Sequence, residues 1–183
     1  MDTATSTNAA VQTQLDRLWS LSPGADILGL ERITALLDRL GNPQHRLPPT
    51  IHVAGTNGKG STCAFLRSAI EAAGLTAHVY TSPHLVRFNE RIRVAGRLID
   101  DAALAKLLED VLDHAEGIGA SFFEVTTAAA FLALVMRLHS TLWAFQSPCW
   151  CSFEQYPRVL HDAQSLVAFS PHDGSAHSSV DIA

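Results

Sequence analysis

The sequence predicts an α/β protein with a mainly parallel sheet flanked by helices, and three observations carry that prediction. Short apolar runs, "TIHVAG" and "LTAHVY", alternate with longer stretches whose apolar residues recur at helical spacing. The order strand, helix, strand, helix, helix is the one that layers helices onto a parallel sheet. A glycine-rich junction, "GTNGKGST", joins the first strand to the helix that follows it.

Each element has its own justification. "VQTQLDRLWSL" forms a short helix with Leu15, Leu18 and Trp19 on one side, after a polar start that is expected to fray over residues 1 to about 14; "SPGAD" breaks it. Between Leu28 and Leu40, the residues Leu30, Ile33, Leu36, Leu37 and Leu40 make one helical face, which Gly41 and Asn42 end. "NPQHRLPP" is a linker, and Ile51 and Val53 suit a central strand. The next helix runs from near Lys59 to Gly74. A second strand leads into a loop broken by Pro83, and "RFNERIRVAGRLID" reads as a hairpin turning at Ala95 and Gly96. Asp100 caps a helix that buries Leu104, Leu107, Leu108, Val111 and Leu112. "FFEVTTAAAFLALVMRL" is apolar on most sides, as a helix packed under a sheet must be.

Bulk properties narrow the function. A chain of 183 residues, 47% of them hydrophobic, is enough for one core. The net charge of −5 comes with no basic stripe, which argues against nucleic acid as a partner. The three cysteines, Cys63, Cys149 and Cys151, have no framework spacing and suit a reducing compartment. No leader pattern and no run of about eighteen apolar residues occurs, so the expectation is a cytoplasmic protein without a membrane partner. His161, His172 and His177 are too widely spaced, without paired cysteines, to suggest zinc.

The chemistry concentrates at Gly55, Thr56, Asn57, Gly58, Lys59, Gly60, Ser61 and Thr62. Glycines let the backbone turn tightly and aim N–H groups at one point, and the helix start adds its positive end there. Lys59 supplies a mobile cation for a terminal phosphate, and Ser61 or Thr62 a hydroxyl for a bridging magnesium ion. ATP with Mg²⁺ is the ligand these residue types imply. The spacing differs from the general phosphate loop, having two residues between Gly55 and Gly58 and an extra glycine after Lys59. His52 reads as a packing residue within its strand, and His84, in a loop, as a site residue.

Together, "LGLERI", "HVAGTNGKGST", "YTSPHLVRFNERIRVAGRLI" and "FFEVTTAAAFLA" resemble the folylpolyglutamate synthase and dihydrofolate synthase family, a branch of the Mur ligase superfamily. The resemblance covers roughly residues 26 to 138. It implies a partial P-loop-type Mur ligase central domain, truncated, and an ADP-forming reaction. In that reaction ATP converts a carboxylate to an acyl phosphate that the amino group of L-glutamate attacks. The acid is dihydropteroate or the glutamyl tail of a folate, and the family enzyme works as a monomer. By the same resemblance Lys59 is catalytic, and Ser82 with Ser61 contacts the metal. Gly29, Leu30, Glu31 and Arg32, with Ser121, Phe122, Phe123 and Glu124, line the pterin side. His84, Arg87 and Phe88 belong to a substrate-facing loop.

Three segments result: an N-terminal extension with a short helix over 1–25, a partial ATP-binding ligase domain over 26–138, and a divergent, poorly ordered tail over 139–183. The family continues with a strand that bears a metal-holding glutamate and then a glycine-rich turn. This chain instead reads "LWAFQSPCWCSF". The change marks a truncation or a shift of reading frame near residue 139, and the second reading of the chain is therefore an inactive nucleotide-binding fragment.

Overall fold

The computed structural model describes residues 6–21, 29–53, 57–136, 142–146 and 166–169. Helix α1, Ala9–Ser20, begins earlier than the sequence suggests. Asn8 caps it by accepting from the N–H groups of Ala10 and Val11, so residues 9–14 are helical where fraying was expected. The "SPGAD" break lies outside the described residues. Helix α2, Glu31–Arg39, buries Ile33, Leu36 and Leu37. Gly41 and Asn42 end it at φ 74° and 52°, and Pro43–Arg46 in the linker forms a short 3₁₀ turn.

Strand β1 is Thr50–Val53, helix α3 Lys59–Ala72 and strand β2 Ala77–Tyr80. A 3₁₀ turn at Phe88–Arg91 leads into the hairpin β3, Ile92–Val94, and β4, Arg97–Leu98. Its turn residues Ala95 and Gly96 have φ 49° and 75°, the left-handed pair that matches strand twist in a tight hairpin. Helix α4, Asp101–Ala115, is capped by Asp100 and buries the five expected residues. Helix α5, Phe122–Val135, is buried on nearly all sides.

Two more strands follow, β5 over Leu142–Gln146 and β6 over Leu166–Phe169. The sheet order is β4-β3-β2-β5-β1-β6, with β1, β2, β5 and β6 mutually parallel and the hairpin antiparallel at one edge. Strand β5 lies between β1 and β2, so the sheet does not stop where the composition changes. Gln146, at the end of β5, is in register with Val53.

Alternation on β2 sorts the helices. Tyr80 packs with α1, α2, α4 and α5, whereas Val79 packs with Cys63 of α3. Successive side chains point to opposite faces, so α3 covers one face and the other helices the second. Burial of His52, wholly inaccessible in β1, pushes its pKa down to about 4 and keeps the ring neutral. His78 in β2 behaves alike, at about 4, and its Nδ1 accepts from the Ala95 N–H at 2.9 Å. Both histidines serve the fold.

Candidate functional site at the carboxyl edge of the sheet

The loop after β1 and the loop after β2 leave the same edge of the sheet. Val53 ends β1 opposite Gln146, and Tyr80 ends β2 opposite Phe145 of the same intervening strand. With one strand between them, the two exits stand about 10 Å apart. Ligands of open α/β sheets bind outside the carboxyl ends of strands, where connections diverge. Here β2 follows β1 on one side, and β6 follows β5 on the other.

At the first exit, Gly55 and Thr56 lie outside the described residues, and Asn57 is exposed. Gly58 holds φ 73° and caps the first turn of α3 without a side-chain bond of its own. No acidic residue occupies that turn, which leaves its positive end available to an anion. Lys59 is half-buried, and Ser61 is exposed beside it. The Thr62 hydroxyl donates to the Gly58 carbonyl at 3.0 Å, tying it to its own helix.

At the second exit, Ser82 is buried, and the loop folds around Glu90. The Glu90 carboxylate accepts the N–H groups of Leu85, Val86 and Arg87 at 2.8, 3.1 and 2.8 Å. Those bonds, the Leu85 one foremost, hold its carboxyl below the usual range. Leu85 and Val86 consequently project into solvent, 91% and 77% exposed. Arg87 turns outward to Asp101 at 2.8 Å, and Asn89 donates to the same carboxylate oxygen at 2.8 Å.

An aromatic wall stands behind this loop. Phe88 and Phe122 meet edge to face at 6.3 Å, Phe123 flanks Phe122 at 5.4 Å, and Trp19 stacks on Phe122 at 4.5 Å. His84 tilts against Phe88 at 5.6 Å. Beside it, Glu124 closes a capping box with Ser121 and takes a hydrogen bond from Arg32 Nε at 3.0 Å, which ties the start of α2 to the start of α5. Glu31 folds its carboxylate over Gly29, where a Cβ would collide with it. Leu30 is half-buried against the main core.

The structure thus brings His84, Phe88, Phe122 and Phe123 together, groups Arg32, Ser121 and Glu124 next to them, and sends Arg87 elsewhere. Sequence reasoning left out Trp19, which it placed in an N-terminal extension; it put Arg91 at the end of a substrate-facing stretch from His84 but gave it no link between the wall and Ser82. The only signal for Trp19 was its place on the apolar side of α1.

No described set of three or more histidines, cysteines or acidic residues is placed to hold a metal ion. Ser82 Oγ accepts from the Arg91 guanidinium at 2.9 Å, a cation that opposes a metal there. The described residues therefore do not fit a resident metal. The segments with Cys149, Cys151, His161, His172 and His177 lie outside the described residues. Among described residues, no helix is long and apolar enough to cross a membrane.

No family model matches the chain. A 110-residue stretch, 57% of the chain, is 44% identical to the dihydrofolate synthase/folylpolyglutamate synthase of Bacillus subtilis, but covers 25% of that protein. Among solved structures, Escherichia coli FolC in complex with DHPP and ADP superposes with a TM-score of 0.76 at 30% identity, over 94% of this chain and 41% of that one. An FPGS–AMPPCP–folate complex gives 0.75 at 30% identity, over 87% and 39%. The chain spans about a quarter of the length of the curated relatives it matches.

The fold is that of the Mur ligase class of α/β proteins. Within that class, the N-terminal part of this chain is similar to folylpolyglutamate synthases and dihydrofolate synthases.

Proposed function

We propose that this chain is a portion of an ATP-dependent ligase that joins L-glutamate to dihydropteroate, to the glutamyl tail of folates, or to both, through an acyl phosphate. The observation that carries the reading is the juxtaposition of a glycine-started helix, with no acidic residue in its first turn, and an aromatic wall at one edge of one sheet. Phe123 and Trp19, the partly exposed rings of the wall, supply apolar surface for a pterin ring, with Phe88 and Phe122 buried behind them and Glu124 and Arg32 at the margin. The first turn of α3 and Lys59 receive the ATP phosphates, which arrive with their Mg²⁺ as substrate. Backbone N–H groups and Lys59 then offset charge on the phosphoryl oxygens as the carboxylate oxygen attacks and ADP leaves. The same reading makes the intact protein a cytoplasmic monomer, with no nucleic acid or membrane partner. It keeps the boundaries of 1–25, 26–138 and 139–183 for its segments.

A second reading is a nucleotide-binding fragment that does not ligate. An ADP-release assay on the purified chain separates the two, using ATP, magnesium, dihydropteroate and glutamate, with Lys59→Ala as control. Release that needs every substrate and disappears in the control establishes the ligase. Nucleotide binding without release, from folded protein, establishes the fragment.

A further inference from the structure

We propose that Arg91 is a positioning residue that locks His84 as the neutral imidazole carrying its proton on Nε2. That single N–H is thereby offered to an oxygen of a bound carboxylate- or carbonyl-bearing substrate. The proposal rests on the functional reading above for the identity of that substrate.

A guanidinium has donors and no acceptor. Arg91 Nε lies 2.9 Å from His84 Nδ1, so Nδ1 contributes a lone pair and the ring hydrogen resides on Nε2. Nη1 of the same planar group donates to Ser82 Oγ at 2.9 Å. One rigid fork therefore holds both ends of the Ser82-Pro83-His84 corner.

Arg91 has no room to release them. It is 5% exposed, and its guanidinium carbon lies 5.2 and 5.3 Å from the ring centres of Phe88 and Phe122. Its backbone carbonyl accepts the Thr81 N–H at 2.9 Å, which fixes the main chain as well. No carboxylate among the described residues forms an ion pair with it. A buried positive charge met by rings and neutral groups favours an oxygen-rich ligand arriving beside it. His84 is half-exposed, and no acceptor among the described residues takes its Nε2–H. The donor faces outward, and the cation behind it sets its tautomer.

Nitrogen-15 NMR of the full chain at pH 7, with His84 assigned by its loss in His84→Gln, is expected to show Nδ1 bare and Nε2 protonated. Arg91→Lys, which keeps the charge but loses the fork, is expected to give mixed tautomers. In calorimetry with dihydropteroate, His84→Gln retains a donor near the Nε2 position and should bind within about threefold of wild type. His84→Leu should bind at least about tenfold more weakly, with an unchanged melting midpoint as the fold control. An Nδ1–H tautomer in the wild type, or equal binding by the Gln and Leu variants, overturns the proposal. A correct tautomer in a chain that binds no dihydropteroate supports the lock and defeats the functional reading instead.

Discussion

The two faces of the sheet are built to different depths. On one, α1, α2, α4 and α5 enclose a continuous core that includes Leu15, Leu36, Leu104, Phe131 and Tyr80, all inaccessible to solvent. On the other, α3 is the one helix among the described residues over Val53, Cys63 and Val79, and its Phe65 is 77% exposed. The aromatic wall belongs to the thick face. Helix α3, with the glycine-rich start that the proposed function assigns to phosphate, belongs to the other, where the described residues pack less closely.

The largest test of this contrast is a pair of truncations. Phe131→Ala should cost about 3–5 kcal/mol in urea unfolding, and Cys63→Ala about 1 kcal/mol. Equal losses would break the comparison. Burial also pushes the Cys63 thiol up to about 11, so it should react slowly with thiol reagents in the native state.

Acid comes next. His52 and His78 titrate near 4 when folded, against an ordinary 6.5. The unfolded chain binds more protons between those values, so the stability both rings contribute is complete above about pH 6.5 and is lost as pH falls toward 4. Each should account for roughly 2 kcal/mol between pH 7 and pH 5, read from the shift in urea midpoint.

Glu124→Gln removes the charge that Arg32 and the Ser121 N–H share, and should cost about 1–2 kcal/mol. A loss below that range would mean that the α2–α5 tie is dispensable. The smallest stability change is expected for Lys59→Ala, under about 0.5 kcal/mol, together with loss of the thermal shift produced by ADP. A large loss of stability there would show that the thin face depends on its loop.

Local chemistry was readable from the text. Asp100 sits where a cap residue belongs, Gly74 has the positive φ that ends its helix, and the spacing of Leu104, Leu107, Leu108, Val111 and Leu112 placed one helical face correctly. The cap at Asn8 was not read from the sequence, which left residues 1 to about 14 as a frayed start. Trp19 was not recognisable as part of the site, and the contacts of Arg91 were not either, because both rest on partners apart in the chain: Ser82 and Phe122 for Arg91, Phe122 for Trp19.

The sequence by itself determined the alternation of strands and helices and the glycine-rich stretch after β1, since each depends on residues within one turn or one strand of each other, and it carried the family resemblance through four such local stretches. Only the tertiary structure decided that β5 enters between β1 and β2, that Arg91 joins the Ser82 corner to the aromatic wall, and that Ser82 faces a cation. Those outcomes come from contacts between segments brought together by burial, which no local pattern encodes.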